Sequence, residues 1–340
     1  MPALQSDAAI VRLQTVACAL GLCVALIGIG VLVGWAFDIA WLKTVLPGLV
    51  TMKPNAAAGF VAGGFALVLL ARPRRLPARL LGGFCAGICL AIGAGTLAQY
   101  LFGVDLGIDE LLFREPPQAF ASLAPTRMHP TSAFAFLLSG SALCRLVGGR
   151  VHGSRLAQGT MLVVLTIALI TLLGYLYGVR EFHGLARYGQ MALHTTVGFT
   201  VLSIGLLCAR PDVGMMPAIV GAGAGSRIAR PLLLGATIVP IVVGAVVMHN
   251  LRHGAYGQEF ALAIQVALTV ACFLPIICLV AVVLNRSDAA RLASERDLRE
   301  AHADLERRVV ERTAELSASV ESLRVAKEGA EAATQAKSAF

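Results

Sequence analysis

MHPTSAFAFLLSGSAL, running from Met128 to Leu143, is the stretch on which the reading of this chain turns. The same frame occurs twice more, as MKPNAAAGFVAGGFAL from Met52 and MALHTTVGFTVLSIGL from Met191. Each copy opens with Met and places a Phe eight residues later (Phe60, Phe136, Phe199). A small residue follows four positions on (Gly64, Gly140, Ser203), then a Leu three beyond that (Leu67, Leu143, Leu206). A second frame precedes each copy: VLVGWAFDI from Val31, TLAQYLFGV from Thr96 and TLLGYLYGV from Thr171. It sets aromatics two apart, at Trp35/Phe37, Tyr100/Phe102 and Tyr175/Tyr177. Recurrence of this kind marks a repeated supersecondary unit. The unit here is a pair of apolar segments joined by a polar link, a helical hairpin used three times.

The composition places those hairpins in a bilayer. Of 340 residues, 57% are apolar and mean hydropathy is +0.77. Charged residues make up 14%, against roughly 25% in soluble proteins. Apolar segments of about the twenty residues that a bilayer requires lie near 15–37, 53–71, 81–102, 129–147, 158–178, 190–208, 231–249 and 260–284. Residues 1–14 read as a short polar start, and the first segment as a retained membrane helix, since it is too long for a signal-peptide core. The expected fold is all-α: a polytopic membrane bundle of about eight transmembrane helices in repeated hairpins, followed by a long cytoplasmic coiled-coil helix. The last two spans read as a degenerate fourth hairpin, VVGAVVMHNLRHG from Val242 having lost the aromatics. Pro54 and Pro130 open helices, where a missing N–H costs nothing; Pro240 and Pro275 fall inside helices and predict kinks.

Charge sets the expected orientation. The links after the second, fourth and sixth spans carry Arg72, Arg74, Arg75, Arg79, Arg145, Arg150, Arg155, Arg210, Arg227 and Arg230 against Asp212 alone. In the other links Lys43, Lys53, Arg114, Arg127, Arg180, Arg187 and Arg252 are matched by Asp38, Asp105, Asp109, Glu110, Glu115, Glu181 and Glu259. An excess of Lys and Arg marks cytoplasmic loops, which predicts both termini on the cytoplasmic side of the membrane. The net charge of +8 is thereby explained as topology, with the lipid bilayer as partner and no nucleic acid required. Leu111, Leu112 and Phe113, in the longest outer link, predict a short amphipathic piece lying along the membrane surface.

After Asn285 the chain changes character. Residues 286–340 hold ten basic and eleven acidic residues and no Pro. Leu298 and Leu305 fall at d of a heptad, Val309, Leu316 and Leu323 at a, and Ala326, Ala330 and Ala333 continue the seam. His302, Arg312 and Ser319 interrupt it, so the expected product is a marginal two-stranded coiled coil and hence a homodimer. The domains are then 1–284, an integral-membrane region of repeated hairpins, and 285–340, a cytoplasmic linker.

Candidate site residues cluster at the outer starts of the repeats. Lys53, Asn55, His129, Thr131 and His194 stand near helix N-termini, and Trp35, Tyr100 and Tyr175 reach a similar depth from the preceding helices. Helix N-termini favour anionic or carbonyl groups, and polar residues among aromatics within a helix-repeat interface suit a ligand cleft. His129 and His194 have the chemistry to ligate haem or to hydrogen-bond a quinone carbonyl; His249 and His253 are lesser candidates. A plainer account stands beside this one: Asn and Thr cap helices, Trp and Tyr belong at membrane interfaces, and Phe with Gly or Ser packs helices. The eight Cys all lie in apolar segments and form neither a disulfide framework nor a metal pattern. No cluster has metal-ligand spacing, and neither a Gly-rich phosphate loop, a catalytic triad nor a carboxylate pair is evident, so no catalytic or metal residue is assigned.

ERRVVERTAELSASVESLRVAKEGAEAATQAKSAF, Glu306 to Phe340, resembles the linker that precedes the phosphoacceptor domain of bacterial hybrid sensor histidine kinases. In that family such a linker ends in a motif like AKSxFLAxMSHEIRTP, matched here by Ala336, Lys337, Ser338 and Phe340. YLFGVDLGIDELLF from Tyr100 and the Met-led repeat starts look like the integral-membrane sensory region of bacterial histidine kinases and diguanylate cyclases. The resemblance implies a sensory input module of a two-component system, truncated before its phosphoacceptor domain. It implies further that ATP and a cytoplasmic response regulator belong to domains beyond Phe340. The phosphoacceptor His, the ATP-binding domain and any receiver Asp have no counterpart in these residues, so no catalytic role carries over. The alternatives are the sensor region of a diguanylate cyclase, a small-molecule transporter or channel, and a structural anchor that dimerises a partner.

Overall fold

The computed structural model describes residues 2–45, 49–72, 76–113, 127–149, 151–179, 191–221 and 223–338. Ten helices account for most of them: α1 Pro2–Ala36, α2 Ala40–Lys43, α3 Pro54–Leu70, α4 Leu76–Phe102, α5 Pro130–Val147, α6 Val151–Tyr177, α7 Leu193–Ala209, α8 Met216–Val220, α9 Ala224–Arg252 and α10 Gln258–Ser338. No strand occurs among the described residues. Six of the helices are long and apolar enough to cross a membrane, and α3 and α7 are apolar but only 17 residues long. The chain is an all-α, multi-pass membrane protein. Residues 1–14 are not a separate polar start. α1 begins at Pro2, because proline suits a first helical turn and nothing after it stops the helix.

The three Met-led copies are the inner helices. α3, α5 and α7 touch one another pairwise, and the second frame supplies an outer helix for each gap. α1 bridges α3 and α7, α4 bridges α3 and α5, and α6 bridges α5 and α7. The outcome is a pseudo-threefold ring of six helices. On its axis Phe60, Phe136 and Phe199, all fully buried, meet with ring centroids 4.6–4.8 Å apart and planes near 60° to one another. Tilted contacts of this kind match the negative faces of aromatic rings to positive edges. Gly59 and Gly198 lie under these rings, a Cβ at either falling 2.7 Å from Phe136 or Phe60 respectively. Their counterpart in the second copy is Ala135. The short length of α3 and α7 is tolerable because they are enclosed: twelve of the 17 residues of α3 are buried, so helices around them, rather than lipid, set what they must match.

The outer helices repeat residue for residue. Residues 17, 21, 24, 28, 31 and 34 of α1 are buried, as are 82, 86, 89, 93, 96 and 99 of α4 and 157, 161, 164, 168, 171 and 174 of α6. Spacings of three and four put each set on one helix face. Close approach comes from small residues. A Cβ on Gly28 would meet the Ala57 carbonyl at 2.5 Å, and one on the equivalent Gly93 would meet the Ala133 carbonyl at 2.7 Å. In the third repeat Ala168 and Thr196 occupy these positions. Each outer helix then ends in the left-handed conformation at the eighth residue of its frame: Asp38 (φ 54°), Gly103 (φ 66°) and Gly178 (φ 58°). Glycine, or less often Asp or Asn, takes that conformation readily. The Ile39 and Val179 amides bond back to Gly34 and Gly174 at 2.8 and 2.9 Å, the six-to-one closure of a helix C-terminus.

α9 and α10 do not extend the ring as a fourth hairpin. α9 touches α6 and α8, and only 11% and 6% of the apolar windows of α9 and α10 are buried. They lack the recurrent aromatics of the earlier copies, and the small residues they do carry, Gly235 and Gly244, face Ile276 and Tyr177 rather than the axis. Pro231, Pro240 and Pro275 are accommodated inside helices. Residues 105–113 are irregular rather than helical. Phe113 stacks on Trp35 at 6.3 Å while Leu111 is 78% exposed. Arg74, Arg75, Arg114, Glu115, Arg150, Arg180, Glu181 and Arg187, used above for orientation, lie outside the described residues.

The chain forms two compact units, Met1–Ile276 and Ile277–Phe340. In the second, Leu298, Leu305, Val309, Leu316 and Leu323 are all more than half exposed. Around them Asp304 pairs with Arg307 and Arg308, Arg312 with Glu315, and Arg324 with Glu321 and Glu328. Solvated pairs of this spacing support a helix by a few tenths of a kcal/mol each.

Candidate functional site

The eight candidate residues divide among three equivalent corners of the ring. At each corner the aromatic of the outer helix donates to the carbonyl of the Met that opens the inner one. Trp35 Nε1 reaches Met52 O at 2.9 Å, Tyr100 OH reaches Met128 O at 3.0 Å and Tyr175 OH reaches Met191 O at 2.5 Å. The Met carbonyl precedes the helix, so no helical N–H serves it, and within a membrane an unserved carbonyl is costly. The recurrent aromatic and the recurrent Met are therefore two halves of one bond made three times. Tyr175→Phe is expected to cost about 1–3 kcal/mol, because it leaves a buried carbonyl without its donor; a lowered melting temperature in detergent would show it, and an unchanged one would remove the clamp from the account.

Helix starts explain two more. His129 is the N-cap of α5, its Nδ1 accepting from the Thr131 amide at 3.2 Å. Lys53 is the N-cap of α3, extended and buried. Thr131 is half-buried as the second residue of its helix. What the structure gives these residues is bonding within the chain.

Asn55 leads to a polar cluster that the loop charges alone did not single out. Asp109 is 5% exposed, and it accepts from Asn55 Nδ2 at 3.1 Å, Gln99 Nε2 at 2.8 Å and Arg127 Nε at 2.7 Å. Gln99 in turn accepts from the Leu106 amide at 2.8 Å, and the Arg127 guanidinium stands 5.5 Å from the centre of the Tyr100 ring. A buried carboxylate with three donors, one of them a guanidinium, is a compensated charge. The signal for it was Gln99, a polar residue where the other two outer helices carry Gly34 and Gly174. The loop that follows α4 thus crosses onto α3 and seals Asn55.

The loop that follows α1 does the corresponding thing on the other side of the ring, with different chemistry. Asp38 and Lys43 pair at its start, and the Lys43 ammonium lies 5.0 Å above the Trp35 ring. The hydrogen bond from Lys43, and then its charge, hold the exposed Asp38 carboxyl below the usual carboxylate range. Further on, Leu42 packs against Gly34, where a Cβ would approach the Leu42 Cβ to 2.6 Å. This loop overlies α7 at His194, which occupies the position in the third copy that Asn55 holds in the first. No Asp awaits it. His194 Nδ1 is buried without a hydrogen-bond partner, a state worth about 1–3 kcal/mol of destabilisation.

His194 instead lines a groove of about 730 Å³ formed with α1 and α2. Leu22, Leu26 and Gly30 form one wall, and Trp41, Leu42 and Val45 form the end. Of the eight candidate residues, His194 is the one that lines it. Among the described residues no group of three or more His, Cys, Asp or Glu is placed to hold a metal ion. His249, in the last turn of α9, and His253, its C-cap, meet at 4.4 Å between ring centroids with planes tilted by 58°. None of the family models, curated proteins or solved structures compared with the chain matches it.

Proposed function

We propose that the chain is the sensory input module of a two-component sensor histidine kinase, set in the bacterial inner membrane with both termini in the cytoplasm. A stimulus received in the ring shifts the last membrane helix, and that helix passes the shift to a cytoplasmic coiled coil formed with a second copy. The observation that carries this reading is α10. It is assigned as helix from Gln258 to Ser338 and contains both the apolar stretch Gln258–Cys278 and the heptad seam. The exposed seam residues Leu298, Leu305, Leu316 and Leu323 supply what a second copy would cover. His302 and Arg312 within that seam weaken the pairing, which suits two packings of similar free energy that a stimulus can bias. The ending Ala336, Lys337, Ser338 and Phe340 supports the resemblance to kinase linkers. ATP binding, phosphotransfer and contact with a response regulator would belong to the kinase part of such a protein. The Arg-rich links, including Arg72, Arg79, Arg145 and Arg227, support the orientation by the positive-inside rule.

The test is a series of insertions. One to four residues placed at Ala290, in a protein carrying the kinase domain, should alter autophosphorylation with helical periodicity, since each residue rotates the seam by about 100°. Output that is flat across the series sinks the relay.

A further inference from the structure

We propose that the groove between α1, α2 and α7 is a binding site for a neutral, lipid-soluble carbonyl compound of the quinone type, held by a hydrogen bond from His194 with its apolar tail along α1. Four observations converge. First, threefold equivalence says what belongs at His194. Its counterpart Asn55 donates to Asp109, carried by the loop that crosses from the neighbouring outer helix. The loop crossing onto His194 brings Trp41, Leu42 and Val45 instead. Among the described residues no polar partner reaches His194, and a groove stands in its place. Second, His194 Nδ1 is buried with no partner in the protein, so the imidazole has bonding capacity that the fold does not use; a neutral imidazole both donates and accepts.

Third, the walls suit an apolar body. From Ala19 to Val31 they run along α1 for about 18 Å at the helical rise. The volume, about 730 Å³, falls within the usual range of small-molecule sites, and one convergent polar group among apolar walls is their usual chemistry. Trp41, which lines the groove, gives a flat ring a face to stack on. Fourth, among the described residues no Lys or Arg lines the groove, which favours a neutral head over a carboxylate or phosphate. Leu22 and Leu26, 47% and 65% exposed, leave the side open, so a ligand enters from the bilayer. The site goes beyond the relay proposed above: it binds or fails to bind whether or not a kinase follows.

The full chain in lipid nanodiscs, titrated with a benzoquinone bearing a decyl tail, tests this by tryptophan fluorescence. Trp35 and Trp41 are the only tryptophans. Saturable quenching is expected, with most of its amplitude lost in Trp41→Phe. His194→Leu should weaken binding at least tenfold, and Gly30→Leu should abolish it, since the nearest atom to a Cβ there is 4.0 Å away and the side chain fills the groove without disturbing the backbone. Should either variant fail to fold, the unaltered protein still decides the matter. Decylbenzene, which lacks the carbonyls, and laurate, which replaces them with a charged carboxylate, should each bind at least tenfold more weakly than the quinone. Equal binding of decylbenzene shows that apolar partition alone is at work and overturns the proposal. Equal binding of laurate shows that an acyl chain suffices and overturns it too, as does unchanged quenching in folded His194→Leu and Gly30→Leu proteins.

Discussion

Gly93→Leu is expected to leave no folded bundle. A Cβ at Gly93 would stand 2.3 Å from the Leu137 amide nitrogen, 2.7 Å from the Ala133 carbonyl and 2.8 Å from the Phe136 carbonyl carbon. All three are backbone atoms of α5, so no side chain can turn aside; the helices must separate. Gly140 is the reciprocal contact, its Cβ falling 2.4 Å from the Leu90 amide nitrogen. Separation at this crossing would also move Phe136, which follows Ala135 in the same buried turn and carries one edge of the aromatic triad. Even Gly93→Ala should exceed the upper end of ordinary overpacking, about 3 kcal/mol. Gly87 lies on the same helix with nothing within 4 Å of its Cβ position. Gly87→Ala should therefore be neutral, or gain up to about 1 kcal/mol of helix propensity. Thermal unfolding of purified protein followed by size-exclusion chromatography separates these outcomes. A Gly93→Ala protein as heat-resistant as the wild type would mean that α4 and α5 do not cross as described.

Asp109→Leu is the second large effect. Removing the carboxylate leaves the Arg127 guanidinium, Asn55 and Gln99 with unused donors around an apolar side chain. Breaking a buried ion pair from one side costs about 3–5 kcal/mol, and the exposed Asp105, 3.6 Å from Arg127, puts the expected loss toward the lower end. Asp109→Asn should cost less, since the amide oxygen still accepts from one of the three. The decisive comparison is Asp109→Leu with Arg127→Met in one chain. If the loss comes from the orphaned charge, the double variant will be more stable than Asp109→Leu alone, a coupling visible in a double-mutant cycle. Simple additivity of the two single effects would show that Arg127 and Asp109 do not depend on each other. The loop and α3 should loosen together in Asp109→Leu, so faster amide exchange is expected at Asn55 and Ala56.

Much of the architecture was legible because it is local. The Met-to-Phe interval of eight residues fixes which face of each inner helix is enclosed, and the aromatic frame marks where each outer helix stops. The left-handed Asp38, Gly103 and Gly178 are legible as the one position in that frame restricted to Asp or Gly. Asn and Thr were the expected caps and Trp and Tyr the expected interface residues, whereas the structure gives the side-chain cap of α5 to His129 and makes Trp35, Tyr100 and Tyr175 donors to the Met carbonyls. The proposed fourth hairpin did not join the ring, because hydropathy alone resembled the other spans while the residues that make contacts were missing. Helix ends extended past the apolar runs, as at Pro2, Leu76 and Val151, since hydropathy reports the depth of lipid and not the end of the hydrogen-bond ladder.

By itself the sequence determined that three copies of a hairpin exist, where each helix begins and ends to within a few turns, and which side chains are enclosed. Only the tertiary structure decided which copy each element serves. A periodic pattern says that a face is covered but is silent about what covers it. The loop after α4 gives Asp109 to Asn55 of the preceding copy, and the loop after α1 covers His194 of the last. These partners are 54 residues apart in one case and about 150 in the other. Ring closure brings them together, and closure follows from three aromatic side chains meeting on an axis, a contact that no single helix contains.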